Sequence, residues 1–270
     1  VLTWQPGDEH MLYVSYSEGF KGGGYQLWPV GGGALTAAEI EFDGETAESF
    51  EAGGKHTLLA STLQVNWSAW STEVQGLQVA AFDPVITAQN IVNAGQTTSE
   101  GVEGDFIWLP DASHRISAAF AYTDATYDSY EGANCYPGQT PEMGCVGRQQ
   151  SLTGQSVSYA PEWQYIFSVD GAYSFAANME WGWRAAYNWR DDQFIGTTNH
   201  PTADVQEAYG KFNASLFLAS ADGKWRVSLI GTNLNDENVG TGANHGRMMN
   251  LVPEQGVTPA IPTLVFMAPG

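Results

Sequence analysis

WQYIFSVDGAYSFAANMEWGWRAAYNWR, residues 163–190, is the stretch whose reading decides the fold. Taken two residues at a time, its first half puts Trp163, Tyr165, Phe167, Val169, Gly171 and Tyr173 on one side. Gln164, Ile166, Ser168, Asp170, Ala172 and Ser174 fall on the other. Its second half sets Trp181, Trp183, Ala185, Tyr187 and Trp189 against Gly182, Arg184, Ala186, Asn188 and Arg190. Side chains alternate across a strand with a period of two, so each half reads as a strand with one apolar and one polar face. Phe175-Ala176-Ala177 leaves room only for a tight turn between them. The aromatic residues sit towards the ends of the apolar faces, as interfacial girdles do around a lipid band.

The same alternation recurs along the chain. Ile116, Ala118, Phe120 and Tyr122 share a face, as do Phe212, Ala214, Leu216 and Leu218; Trp225, Val227 and Leu229; and Leu63, Val65, Trp67 and Ala69. About ten strands follow from this pattern, near residues 1–6, 11–19, 46–59, 63–83, 86–109, 115–130, 157–174, 179–195, 204–219 and 224–234. Residues 63–82 and 86–109 read as single strands far longer than those of ordinary globular sheets. Connections alternate between tight turns near Gly7, Ala60, Asp111, Ala176 and Asp222, and long Gly-rich or polar loops at 19–44, 131–156, 196–204 and from 235 onward. Short turns on one rim and long loops on the other describe an all-β, antiparallel up-and-down barrel crossing a membrane. A soluble sandwich would also place polar residues outward, so single strands do not decide between the two; strand length and girdles favour the barrel.

Bulk properties narrow the function classes. The 270 residues carry a formal charge of −20, which excludes nucleic-acid binding through phosphate neutralisation. No stretch approaches the roughly 18 apolar residues of a transmembrane helix, and barrels escape that measure. Cys135 and Cys145 share one loop beside Pro137, Gly138, Pro141 and Gly144, which suits a disulfide in an oxidising compartment. Two unpaired thiols are the alternative; a metal site at the pair would need ligands that no nearby histidine supplies. The five histidines, His10, His56, His114, His200 and His245, show no metal-ligand spacing, so no metal site is expected. GFKGGG (19–24) lacks phosphate-loop spacing, and no nucleophile-and-base motif occurs, so neither catalytic residues nor cofactors are expected. The chain opens at Val1 without Met or signal-like regions and closes on MAPG, so a fragment of a longer protein is expected.

Five segments carry a family resemblance, in order. YVSYSEGFKGGGYQ (13–26) resembles the strand and loop entry in the barrels of TonB-dependent outer-membrane receptors. ETAESFEAGGKHTLL (45–59), NAGQTTSEGVEGDF (93–106), APEW (160–163) and GTNLNDEN (231–238) are similar to later strands and strand openings of that family. The resemblance implies that residues 1–270 are part of a barrel of about 22 strands around an N-terminal plug, roughly its twelfth to twenty-first strands. The plug, the TonB box and the terminal strand would lie outside the chain. It further implies a Gram-negative outer-membrane location, tight turns on the periplasmic rim and long loops outside. The implied partners are outer-membrane lipid, TonB with its inner-membrane energising complex, and a small-molecule or metal-chelate ligand, with an iron–siderophore complex the family's commonest.

On that reading, ligand contacts come from the long loops and the upper lumen. Tyr25, Trp28, Tyr136, Arg148, His200, His245 and Arg247 are the chemically able candidates, aromatic rings for stacking and guanidinium groups for carboxylates. Lys21, Arg184 and Arg190 stand out as lumenal cations, either open to a ligand or paired with carboxylates of neighbouring strands. Two rival functions remain. A passive porin would lack a plug-like sequence upstream of Val1, and a carbohydrate-binding sandwich would be soluble without detergent.

Overall fold

The computed structural model describes residues 1–26, 40–83, 88–176, 178–244 and 264–267. Ten strands form one antiparallel sheet in sequence order. They are β1 (Leu2–Gly7), β2 (His10–Lys21), β3 (Glu45–Leu58), β4 (Leu63–Gln75), β5 (Gln96–Trp108), β6 (His114–Ser129), β7 (Trp163–Ala176), β8 (Met179–Arg190), β9 (Tyr209–Ser220) and β10 (Arg226–Gly231). Each strand pairs with its sequence neighbour, which is the meander that tight turns and long loops predicted.

Register carries the two faces across the sheet. Tyr165 opposes Phe120 and Trp189, Phe167 opposes Ala118 and Tyr187, and Tyr187 opposes Phe212. Among the described residues this apolar face meets no second sheet: Phe50 is 61% exposed, Leu216 53% and Phe167 45%. Such a surface is far beyond what a water-soluble monomer leaves open, and acyl chains are its natural solvent. The sandwich alternative falls on this observation. The opposite face carries Asn66, Asp105, Ser168, Asp170, Arg184, Asn188 and Lys211, opposed across strands as Asn66 to Asp105, Ser168 to Ala186, Asp170 to Arg184 and Asn188 to Lys211.

Aromatic rings mark two levels on the apolar face. Tyr122 lies against Trp163 at 4.8 Å, Tyr165 stacks on Trp189 at 5.0 Å and Tyr16 meets Phe50 at 4.7 Å, all towards the long-loop end. Tyr173 stacks on Trp181 at 4.9 Å beside a tight turn. From Trp163 to Tyr173 is ten residues, about 33 Å along a strand and about 25 Å along the membrane normal at a barrel's usual tilt. That matches the height of a lipid band.

Two sequence expectations need correction. Residues 63–83 and 86–109 are not single strands. The sheet strands end at Gln75 and begin again at Gln96, and a separate hairpin of Gln78–Asp83 and Ala88–Asn93 stands between them. Gly76 takes a left-handed φ of 68° and donates its N–H to the Gly95 carbonyl at 2.8 Å, closing the sheet ladder and re-aiming the chain. The 13 residues left in β4 and in β5 still exceed the roughly 9–11 needed to cross a bilayer. Likewise β7, β8 and β9 are shorter than read: residues 157–162, 191–195 and 204–208 belong to loops.

Candidate functional site

The long connections build a single canopy at one end of the sheet. In the loop after β6, Ala133–Asn134 pairs with Gln149–Gln150, and Cys135 and Cys145 are joined in a disulfide with Cα atoms 5.7 Å apart. A short 3-10 turn at Pro141–Met143 ends on Gly144 in the left-handed region, with φ of 93°. Among the described residues a compact hydrophobic cluster gathers here, where the end of β6 meets the loops: Ala94, Tyr127, Tyr130, Ala133 and Leu152, with Leu77, Val79 and Val157 packed against it. Burial pushes the Tyr130 hydroxyl up to about 12, with the neighbouring Tyr127 adding to the shift.

The loop after β8 is organised around Asp204, which is 0% exposed. Its carboxylate accepts the Thr198 hydroxyl at 2.6 Å and the His200 N–H at 3.0 Å. The two loops are then laced together. Gln150 Nε2 donates to the carbonyls of Asn134 at 2.7 Å and Thr198 at 2.8 Å. Asn199 Nδ2 donates to the Ser156 carbonyl at 3.0 Å, and the Tyr159 hydroxyl to the Ile195 carbonyl at 2.6 Å. Buried amides that satisfy backbone carbonyls in both loops leave no reason for either to move alone.

The hairpin 78–93 joins the canopy from the other side. Asn93 Nδ2 donates to the carbonyls of Asp43 at 3.0 Å and Gly76 at 2.8 Å, and Gln26 exchanges hydrogen bonds with the backbone of Ile91 at 2.6 and 3.0 Å. On the far side, Ala243 N–H reaches the Ile195 carbonyl at 2.8 Å and Gly240 N–H reaches Gln206 Oε1 at 2.6 Å. Five connections, those after β2, β4, β6, β8 and β10, therefore meet in one assembly.

Below the canopy a cavity of about 820 Å³ opens on the polar face, lined among others by Lys55, Asn66, Asp105, Gln164, Arg190 and Lys211. Acceptors there are held in place: Asp105 accepts Asn66 Nδ2 at 2.9 Å and Glu103 accepts the Ser68 hydroxyl at 3.1 Å, while Glu51, beside the cavity, accepts the hydroxyl of its lining residue Tyr13. Acidic groups gather on β3–β5, while Arg190 and Lys211 stand on β8 and β9.

The sequence-derived candidates distribute unevenly over this site. Tyr136 and His200 come together, rings 4.6 Å apart across the two laced loops. Tyr25 is 66% exposed on Gly24–Tyr25, a two-residue strand paired with Glu41–Phe42. Arg148 is exposed at a left-handed turn with φ of 71°, its carbonyl accepting Cys135 N–H at 3.2 Å. Trp28, His245 and Arg247 lie outside the described residues. Of the cations, Lys21 pairs with Glu45 at 3.7 Å and Arg184 with Asp170 at 3.1 Å, whereas Arg190 faces the cavity. Sequence reasoning missed Gln150, Asn199 and Asp204, and the cavity cations Lys55 and Lys211.

Comparison with known proteins places this geometry. A family model described as TonB dependent receptor-like, beta-barrel, matches residues 1–234. No curated protein sequence matches the chain. Among solved structures, the ferric yersiniabactin uptake receptor FyuA from Yersinia pestis aligns over 98% of this chain and 34% of its own, at 16% identity and a TM-score of 0.70. The siderophore receptor PiuA from Acinetobacter baumannii aligns over 98% and 33%, at 19% identity and 0.64. BauA, the ferric preacinetobactin receptor from the same organism, aligns over 98% and 33%, at 15% identity and 0.61. The chain thus spans about a third of the length of these proteins and shares their fold.

Proposed function

The chain belongs to the TonB-dependent receptor-like β-barrel family, and from that premise we propose that it walls an outer-membrane receptor for energised uptake of an iron–siderophore complex. The observation that carries this reading is the laced canopy over a polar cavity. Loops tied to one another by buried amides present a preformed surface, which favours tight capture of a dilute solute over free passage. Tyr136 and His200 offer adjoining ring faces for a planar chelating group, while Tyr25 and Arg148 offer further exposed aromatic and cationic contacts. Arg190 and Lys211 in the cavity below suit an anionic ligand on its way inward.

Transport then depends on a plug supplied by another part of the receptor and on TonB with its inner-membrane energising complex. The chain's own share is capture by the loops, a wet path along the polar face, and anchorage in lipid through the apolar one. Uptake of radioactive iron bound to a panel of siderophores, in iron-starved cells with and without the gene, tests the reading. Uptake of at least one chelate should require both this gene and TonB. Gene-dependent passage that persists without TonB would instead identify a passive pore.

A further inference from the structure

The strand register brings together two histidines that stand 46 residues apart in sequence. His10 opens β2 and His56 lies near the end of β3, and the two are direct cross-strand partners. Their rings are 5.3 Å apart, with Nδ1 atoms facing each other at 3.0 Å. Both belong to the apolar, outward face, at the tight-turn end and thus at the water boundary opposite the ligand canopy. On the next strand, Trp67 donates its indole N–H to His56 Nε2 at 3.2 Å. That bond occupies the Nε2 lone pair, so the metal-free pair shares one hydrogen, carried on His56 Nδ1 and accepted by His10 Nδ1.

We propose that His10 and His56 form a two-nitrogen binding site for a divalent transition-metal ion, with Cu(II) preferred. Metal–imidazole bonds run about 2.0–2.1 Å, so nitrogens 3.0 Å apart subtend an angle of about 91–97° at a shared ion. A tetrahedral ion such as Zn(II) asks for about 3.4 Å between nitrogens at the same bond length. The right angle is the cis angle of tetragonal Cu(II) or Ni(II), and Cu(II) heads the divalent affinity series. Among the described residues no group of three or more His, Cys, Asp or Glu gathers around an ion, so the remaining coordination positions fall to water. On binding, both rings turn so that their Nδ1 lone pairs meet at an ion about 1.4 Å off the line between the nitrogens, and the shared hydrogen leaves that line. His56 moves its proton from Nδ1 to Nε2, and the Trp67 N–H gives up its acceptor and turns to interfacial water. Asp8 and Glu9 in the adjoining turn raise the local cation concentration.

The test uses the receptor purified from outer membranes in detergent, without a polyhistidine tag, titrated with Cu(II) against a glycine competitor. One equivalent should bind, the electron paramagnetic resonance spectrum should show coupling to two nitrogens, and tryptophan emission should fall. His10→Gln and His56→Gln should each weaken binding by about ten-fold or more, with heat-modifiable gel migration retained as the check on folding. Trp67→Phe should keep the binding and lose most of the quenching. Unchanged affinity in both glutamine variants, absence of nitrogen coupling, or Zn(II) binding more tightly than Cu(II) would each overturn the proposal.

Discussion

At the scale of single residues, the sheet is held in register by rings lying over glycines. A Cβ on Gly53 would meet the ring of Tyr13, its cross-strand partner, at 2.6 Å, and Tyr13 is pinned on the polar face by donating to Glu51. Gly19, on the same strand pair, has nothing within 4 Å of its missing Cβ. Gly53→Val therefore pushes the Tyr13 ring off its hydrogen bond to Glu51 and should destabilise the folded sheet by about 1–3 kcal/mol. Gly19→Val should be near neutral; denaturant midpoints in detergent separate the two, and equal effects would refute ring-over-glycine packing. Tyr130 offers a titration test. Its hydroxyl rises from 10.0 to about 12 because the neutral form is favoured in the buried cluster. A raised folded pKa means the contribution is whole below pH 10 and lost as pH climbs from there through about 12. In ultraviolet titration the late absorbance step should shrink by one tyrosine's worth in Tyr130→Phe, and loop 131–156 should loosen over that window.

At the scale of elements, the question is whether the loops act separately. Gln150 spans both, and truncating it strands two carbonyls in a dry contact, worth about 1–3 kcal/mol. Gln150→Ala should speed amide hydrogen exchange in 131–156 and in 193–206 alike, while Gln149→Ala, exposed on the same short strand, leaves both unchanged. Loosening confined to 131–156 would mean that the loops are independent. This lacing also marks the limit of what the sequence shows. Strands and tight turns were legible because a period of two breaks visibly at Ala60, Asp111, Ala176 and Asp222. The hairpin 78–93 hid inside two long strands because Val79, Ile91 and Val92 continue the same strand character, and a lone glycine such as Gly76 reads equally well as a bulge. Tyr136 and His200 were legible as chemistry. Gln150 and Asn199 were not, because an amide that bridges backbone carbonyls across a gap in sequence has no pattern. The pairing of His10 with His56 is likewise a product of register alone.

At the scale of the whole molecule, charge and edges decide what the chain can do by itself. Glu18, Glu48 and Glu73 stand directly opposite one another on the outward face, just beyond the Tyr16–Phe50 level. Like charges in register are unfavourable even in water and untenable in hydrocarbon, so this row sets where the lipid band must end. Among the described residues, β1 pairs only with β2 and β10 only with β9. Their outer sides present backbone N–H and C=O groups that lipid cannot satisfy, each costing several kcal/mol. A handful of such groups outweighs the roughly 5–15 kcal/mol of net stability that a folded domain commands. Among the described residues the hydrophobic cluster lies at the loop end of the sheet, and the apolar face is committed to acyl chains, so neither covers these edges. Residues 1–270 alone, refolded into micelles, should therefore give neither a heat-modifiable band nor a protease-resistant core, whereas supplying the strands that complete the ring should restore both. A stable, resistant species from this segment by itself would mean that its edges find partners, by pairing with each other or with a second copy, and that the open sheet is a closed one in solution.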